Sequence, residues 1–182
     1  MKGTDAPTGP SSPVERPLGG SGRASSPSLL EPERLPDHID ALYRAAWALC
    51  GSRHDAEDLV QETFAQVLKR PRFVTPEREL GYLLRALRNT YYSRYRASAR
   101  RPATVALNED VARAAPEPSF SASEIMQAVA RTPAVYRDAV IAVDVIGMSY
   151  REAARALRAR EATITTRLHR GRQHLARALS PT

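Results

Sequence analysis

The single cysteine in 182 residues, Cys50, excludes an intrachain disulfide and any cysteine-rich metal site. It lies on the apolar side of a helical pattern and reads as core filler. Histidine is scarce too: His38, His54, His169 and His174 show no ligand spacing such as HExxH, so neither a metal nor a cofactor is expected. No nucleophile stands beside a paired base and no carboxylates cluster as metal-holding sets do, which argues against an enzyme acting on nucleic acid and leaves no catalytic residue to name. No run approaches the ~20 apolar residues that span a bilayer, so no membrane partner is expected. The opening MKGTDAPTGP lacks the apolar stretch of a secretory signal, which predicts a cytoplasmic protein. Aromatics supply only 6% of residues, while Ala, Leu and Arg recur at helical spacing, which predicts an all-helical fold.

What is abundant is positive charge, +7 formally, in a chain that is 42% hydrophobic. A polyanion suits such a chain, because each phosphate neutralised by Lys or Arg releases condensed counterions. Residues 1–34 are rich in Pro, Ser and Gly and read as a disordered tail. Ile39, Leu42, Tyr43, Ala46, Trp47 and Cys50 then form one stripe of a helix ending at Gly51. Asp55 can cap the next helix, whose stripe is Ala56, Leu59, Val60, Phe64, Val67 and Leu68. Its opposite face carries Glu57, Asp58, Gln61, Glu62 and Gln66. Carboxylates near a helix start favour the dipole, which accounts for Glu57 and Asp58 but not for Glu62; a basic protein surface would account for all three.

A basic loop, KRPRFV, leads to Thr75 and Pro76, which open a third helix. Leu80, Leu83, Leu84, Leu87, Tyr91 and Tyr95 lie inward or near its margin. Along its exposed flank run Arg85, Arg88, Asn89, Arg94, Arg96, Arg100 and Arg101, with Tyr92 among them. Arginines interleaved with aromatics can hold a backbone while unpaired bases stack. Residues 102–120 hold prolines and mixed charge and read as a flexible linker between two small domains, 35–101 and 121–180. The second domain opens with a capping box, Ser121 with Glu124; Thr132 and Pro133 start another helix with Val135, Tyr136, Ala139, Val140, Val143 and Ile146 on its buried side.

A second capping box, Ser149 with Glu152, begins the last pair of helices. Ala153, Ala154 and Leu157 point inward in the first. Ile164, Leu168 and Leu175, with Gly171 between them, form the buried stripe of the second, whose other face shows Thr165, Thr166, His169, Arg170 and Arg172. This is the pattern of a helix-turn-helix, in which threonine and arginine on the second helix can read base edges in the major groove.

In this order the parts resemble an extracytoplasmic-function (ECF) sigma factor of the sigma-70 family. Four stretches carry the resemblance: DAEDLVQETFAQVL at residues 55–68, GYLLRALRNTYYSRYR at 81–96, TPAVYRDAVIAVDVIGMSYREAA at 132–154, and TITTRLHRGRQHL at 163–175. It implies a transcription initiation factor that binds core RNA polymerase and promoter DNA and is held inactive by an anti-sigma factor. Asp58, Gln61 and Glu62 match the face that docks on the beta-prime clamp helices, and the beta flap is the polymerase's other contact. The loop at 70–75, with Arg72 and Phe73, and the helix around Asn89 match the parts that capture the minus-10 element. Arg85, Arg88, Arg94 and Arg96 would hold phosphates there, with Tyr91 or Tyr92 against bases. Thr165, Thr166, His169 and Arg170 match the minus-35 contacts, with Arg167 and Arg172 as phosphate ligands. The alternative is a free-standing helix-turn-helix regulator that never joins the polymerase. Three positions depart from the family pattern: Tyr82 stands where tryptophan is usual, Arg158 and Ala162 stand where glycine is common around the turn, and a non-glycine residue at positive φ costs ~1 kcal/mol or more.

Overall fold

The computed structural model describes residues 26–98 and 120–180. Two helical units make up the fold. In the first, α1 (Ile39–Cys50), α2 (Arg53–Lys69) and α3 (Glu79–Ser98) bury Leu42, Leu49, Leu59, Val67, Leu83, Leu84 and Leu87 between them. In the second, α4 (Ala122–Arg131), α5 (Ala134–Val140), α6 (Tyr150–Leu157) and α7 (Glu161–Ala178) enclose Val140, Ile141, Ala153, Ile164 and Leu168.

Local chemistry sets most of the boundaries. Gly51 ends α1 at φ 75°, a left-handed conformation that costs glycine least. The cap of α2 is Ser52, whose Oγ accepts from the Asp55 amide, so the helix begins earlier than a cap at Asp55 would place it. Both expected capping boxes form, Ser121 with Glu124 and Ser149 with Glu152. Beyond α5 the chain runs through a π-helical turn, Ile141–Val145, and leaves it at Gly147 with φ 85°.

The turn between α6 and α7 puts Arg158 at φ 52° and ψ 47°. Among the described residues it is the only non-glycine at positive φ. The Ala159 amide then reaches back to the Ala154 carbonyl at 2.9 Å, closing the helix end. Ala162, the other departure from glycine, sits inside the first turn of α7, where no positive φ is required. Inside the helix-turn-helix, Gly171 faces α5: a Cβ there would lie 2.5 Å from Val140 Cγ2 and 3.3 Å from the Tyr136 carbonyl oxygen. The bare glycine is what lets α7 cross α5 this closely.

The expected tail takes on structure near its end. Residues 1–25 lie outside the described residues, but β1 (Ser28–Leu29) pairs antiparallel with β2 (Phe73–Val74) in the α2–α3 loop. Leu30 is 2% exposed and Leu35 5%, both in the core. Borrowed backbone bonds and two buried leucines offset the ordering entropy that composition alone predicts would win. The linker at 102–119 also lies outside the described residues, as do Arg100 and Arg101. The two units it joins pack against each other, α1 on α4 and α3 on α6, and share one hydrophobic cluster.

Candidate nucleic-acid and protein-docking surfaces

On α2, Asp58 and Gln61 are exposed and Glu62 is half-buried. Arg94 of α3 forms an ion pair with Glu62 and also donates to the Asp58 carbonyl oxygen at 3.2 Å. Gln66 donates to Glu62 at 2.9 Å and accepts from the Thr90 hydroxyl at 3.1 Å. The acidic face is therefore stitched to the C-terminal half of α3, and Arg94, expected to hold phosphate, is engaged with a carboxylate.

The flank of α3 meets the second unit. Arg85 donates to the Arg155 carbonyl at 2.9 Å and to the Ala156 carbonyl at 3.3 Å, placing its charge at the negative end of α6. Burial, with Arg158 and Arg88 close by, pushes Arg85 below the ordinary arginine range. Arg88 forms an ion pair with Asp138 of α5, and the Tyr92 hydroxyl donates to the other oxygen of that carboxylate at 3.0 Å. Burial foremost, then Asp138, raises the Tyr92 phenol above its usual value. Arg137, buried beside Asp138, donates to the Ala130 carbonyl at 2.7 Å and lies over the Tyr91 ring at 5.2 Å. Four of the expected DNA ligands, Arg85, Arg88, Tyr91 and Tyr92, thus face protein, while Asn89 and Arg96 are exposed.

This junction is not sealed. Arg88 Nε and Arg137 Nε are buried without a hydrogen-bond partner. A cleft of about 490 Å³ opens between the start of α3 and α6, lined by Val74, Tyr82, Arg85, Met148 and Glu152 among others. Nothing in the sequence reading singled out Arg137 or Asp138. Their signal was two adjacent charges inside an otherwise apolar helix.

In the α2–α3 loop, Arg72 is exposed and Phe73 is 74% exposed, while Val74 turns inward. That alternation is what a strand imposes. On α7, Thr165, Thr166, His169 and Arg170 all lie on the exposed face, and Arg167 is half-buried. The two threonine hydroxyls donate back to the carbonyls of Glu161 and Ala162. Arg170 reaches the Tyr136 hydroxyl at 3.2 Å, and Gln173 and His169 are 3.0 Å apart. Arg172 makes a two-pronged pair with Asp144, at 2.6 and 3.0 Å. His174 stacks on Tyr136 with ring centroids 5.6 Å apart, one helical turn beyond Arg170 on the same side of α7.

Elsewhere the described residues hold no group of three or more potential metal ligands, and no helix is long and apolar enough to cross a membrane. Burial pushes the Cys50 thiol up to about 12, which leaves it a poor nucleophile.

Comparison with known proteins identifies the family. The chain matches Sigma-70 region 2 over residues 37–101 and Sigma-70, region 4 over residues 122–175. It is 35% identical over 152 residues to the ECF RNA polymerase sigma factor SigE of Mycolicibacterium smegmatis, an alignment covering 79% of this chain and 59% of that protein. The chain therefore spans about three-fifths of that curated relative's length. Among solved structures, the sigma factor RpoE in complex with the anti-sigma factor NepR from Bartonella quintana superposes with a TM-score of 0.64 at 26% identity, covering 81% of this chain and 94% of that one. CnrH, solved with the cytosolic domain of CnrY, shares the fold with a TM-score of 0.58 at 22% identity over 81% of this chain and 85% of its own. Two family matches in order along one chain, a sigma factor relative and a common helical architecture lead to one conclusion: this chain belongs to the sigma-70 family, among the ECF sigma factors.

Proposed function

We propose that this protein is a cytoplasmic transcription initiation subunit that joins core RNA polymerase and directs it to promoters, with no bond chemistry of its own. The observation that carries the reading is the division of the first unit into two surfaces of opposite charge, carboxylates on α2 and arginines with tyrosines on α3, beside a helix-turn-helix. Asp58, Gln61 and Glu62 present the acidic surface to the beta-prime clamp helices, and the second unit meets the beta flap. The α2–α3 loop, with Arg72 and Phe73, and the α3 flank, with Asn89 and Arg96, capture the melted minus-10 strand; Arg94 joins only by leaving Glu62, and Tyr91 only by leaving Arg137. Thr165, Thr166, His169 and Arg170 read the minus-35 duplex, and Arg167 supplies a phosphate contact. Arg172 joins it only by leaving Asp144.

Melting is then driven by binding. Captured bases replace stacking worth ~1 to 2 kcal/mol per step, so a few aromatic and hydrogen-bonding contacts decide whether the bubble persists. Arg85, Arg88 and Tyr92 can join that capture only when the two units part, because the second unit occupies them here. A sequestering anti-sigma partner fits this picture, since the RpoE and CnrH neighbours were both solved with partner proteins. A free-standing regulator would leave the α2 surface without a role.

The test is binding to core polymerase followed by transcription from a promoter library in vitro. Stoichiometric binding, weakened by Asp58→Arg or Glu62→Arg, and initiation at a defined sequence class are expected. Asp58→Arg is the cleaner variant, because Glu62→Arg also strands Arg94. Binding unchanged in both variants would refute the assignment of α2.

A further inference from the structure

A loop that must hold a base displaced from a duplex is useful only if its own backbone is fixed. The α2–α3 loop has little means of fixing itself: residues 70–75 include one proline, and Arg72 and Phe73 are exposed. What holds it comes from outside. Ser28 pairs with Val74 and Leu29 with Phe73, and the Leu30 amide donates to the Arg72 carbonyl at 3.1 Å. Just beyond, Leu30 and Leu35 anchor the segment in the core. Arg34 and His38 then close on Glu79, at 2.9 and 3.2 Å. Glu79 is the first residue of α3 and is itself 1% exposed. The segment therefore grips the loop at its middle and again where it feeds into α3.

Pairing alternates between hydrogen-bonded and non-hydrogen-bonded partners in an antiparallel ladder. The Leu30 amide bonds the Arg72 carbonyl on one side of Leu29 and Phe73, so Ser28 with Val74 is the bonded pair and Leu29 with Phe73 the non-bonded pair beside it. Side chains of such a pair stand close together on one face. Here that face is the outer one, since Leu29 is 41% and Phe73 74% exposed. Two apolar side chains at solvent, on a backbone held from both ends, form a surface against which an unstacked base can rest.

We propose that residues 28–38 are a positioning strap for the α2–α3 loop, setting minus-10 selectivity, and that Leu29 extends the base-contacting surface begun by Phe73. This rests on the assignment of the loop to minus-10 capture. A cover that merely shields core would predict the same stability losses, so the test needs a second readout.

Three full-length variants supply it. Ser28→Pro removes one ladder donor at an exposed position, Leu30→Ala loosens the anchor, and Leu29→Asp alters only the outer face. Amide exchange at Val74 reports the loop; transcription with core polymerase on templates randomised at the minus-10 positions reports selectivity. Ser28→Pro and Leu30→Ala should speed exchange and lower enrichment of the preferred sequences by about tenfold, the loss of roughly one well-made hydrogen bond, with affinity for core polymerase unchanged. Leu29→Asp should lower initiation with exchange untouched. Faster exchange with full enrichment reduces the strap to a cover and overturns the proposal, as does exchange that does not change. Unaltered initiation by Leu29→Asp removes that residue from the surface. If the unmodified chain binds core polymerase yet enriches no sequence, the assignment of the loop itself fails, and the strap with it.

Discussion

Replacing Asp138 with asparagine should open the molecule. Its carboxylate takes the Arg88 guanidinium on one oxygen and the Tyr92 hydroxyl on the other, across the junction between the two units. The Asp138 side chain is 9% exposed and that of Arg88 21%, so solvent screens the pair only weakly. A hydrogen bond to a charged group contributes about 1.5 to 3 kcal/mol. Asparagine keeps the shape and one acceptor but abandons the charge, leaving Arg88 and Arg137 close together without a counter-ion. The junction has little to spare, because Arg88 Nε and Arg137 Nε are already buried and unpaired. A loss of about 1.5 to 3 kcal/mol moves the ratio of closed to open forms by about 10 to 150-fold. Energy transfer between dyes placed on α2 and α7, with small-angle scattering beside it, should report a more extended chain. Affinity for a single-stranded oligonucleotide should rise with it, because Arg88 and Tyr92 are released together. An unchanged transfer efficiency would refute the claim that this carboxylate holds the units together. Opening without any gain in strand affinity would refute Arg88 and Tyr92 as ligands. The double-mutant cycle with Arg88→Gln separates the pair from the rest of the junction.

Other positions make narrower claims. Gly171→Ala places a methyl group 2.5 Å from Val140 Cγ2, and the clash should outweigh the better helix propensity of alanine, costing about 1 to 2 kcal/mol by chemical denaturation; an unchanged midpoint would mean that α5 and α7 can slide apart freely. Arg158→Gly relieves a side chain held at φ 52° and removes a cation near Arg85, so a gain of about 0.5 to 1 kcal/mol is expected even after the added freedom of the unfolded chain. For Glu152, hydrogen bonds from the Ser149 side chain and backbone hold the carboxyl below its usual range. A depressed carboxylate stabilises the fold above its unfolded pKa and loses that contribution as pH falls through the folded one. Glu152→Gln should therefore flatten the decline in thermal midpoint between about pH 5 and about pH 3, and an identical decline in both proteins would show that the capping carboxylate is not coupled to folding.

How much of this could be read from the sequence depended on how far apart the interacting residues lie. Ser121 with Glu124 and Ser149 with Glu152 are three residues apart, and both boxes formed as expected. Gly51 was equally legible, because a helix end dictates its own backbone, whereas the left-handed position of Arg158 was signalled only by the family resemblance. The strap was not: Leu30 and Leu35 sit in a stretch of prolines and serines, and their partners are some forty residues away in a loop whose strand character exists only when β1 is present. Helix α5 shows the same failure from the other side. Its expected stripe began at Val135, yet Val135 is 53% exposed while Arg137 and Asp138 are each 7% exposed. Tyr136, Ala139, Val140, Val143 and Ile146 are buried or half-buried as expected, and the addition is Arg137 and Asp138, which reach residues of α3. Adjacent residues on a helix do not face each other, so an arginine followed by an aspartate inside an apolar run cannot satisfy one another's hydrogen bonds. Each needs a partner elsewhere, and a buried charge without one is too costly to keep. The pair at 137 and 138 therefore announced a second surface, and α3, with more arginines and tyrosines than its own unit could use, was the surface that answered it.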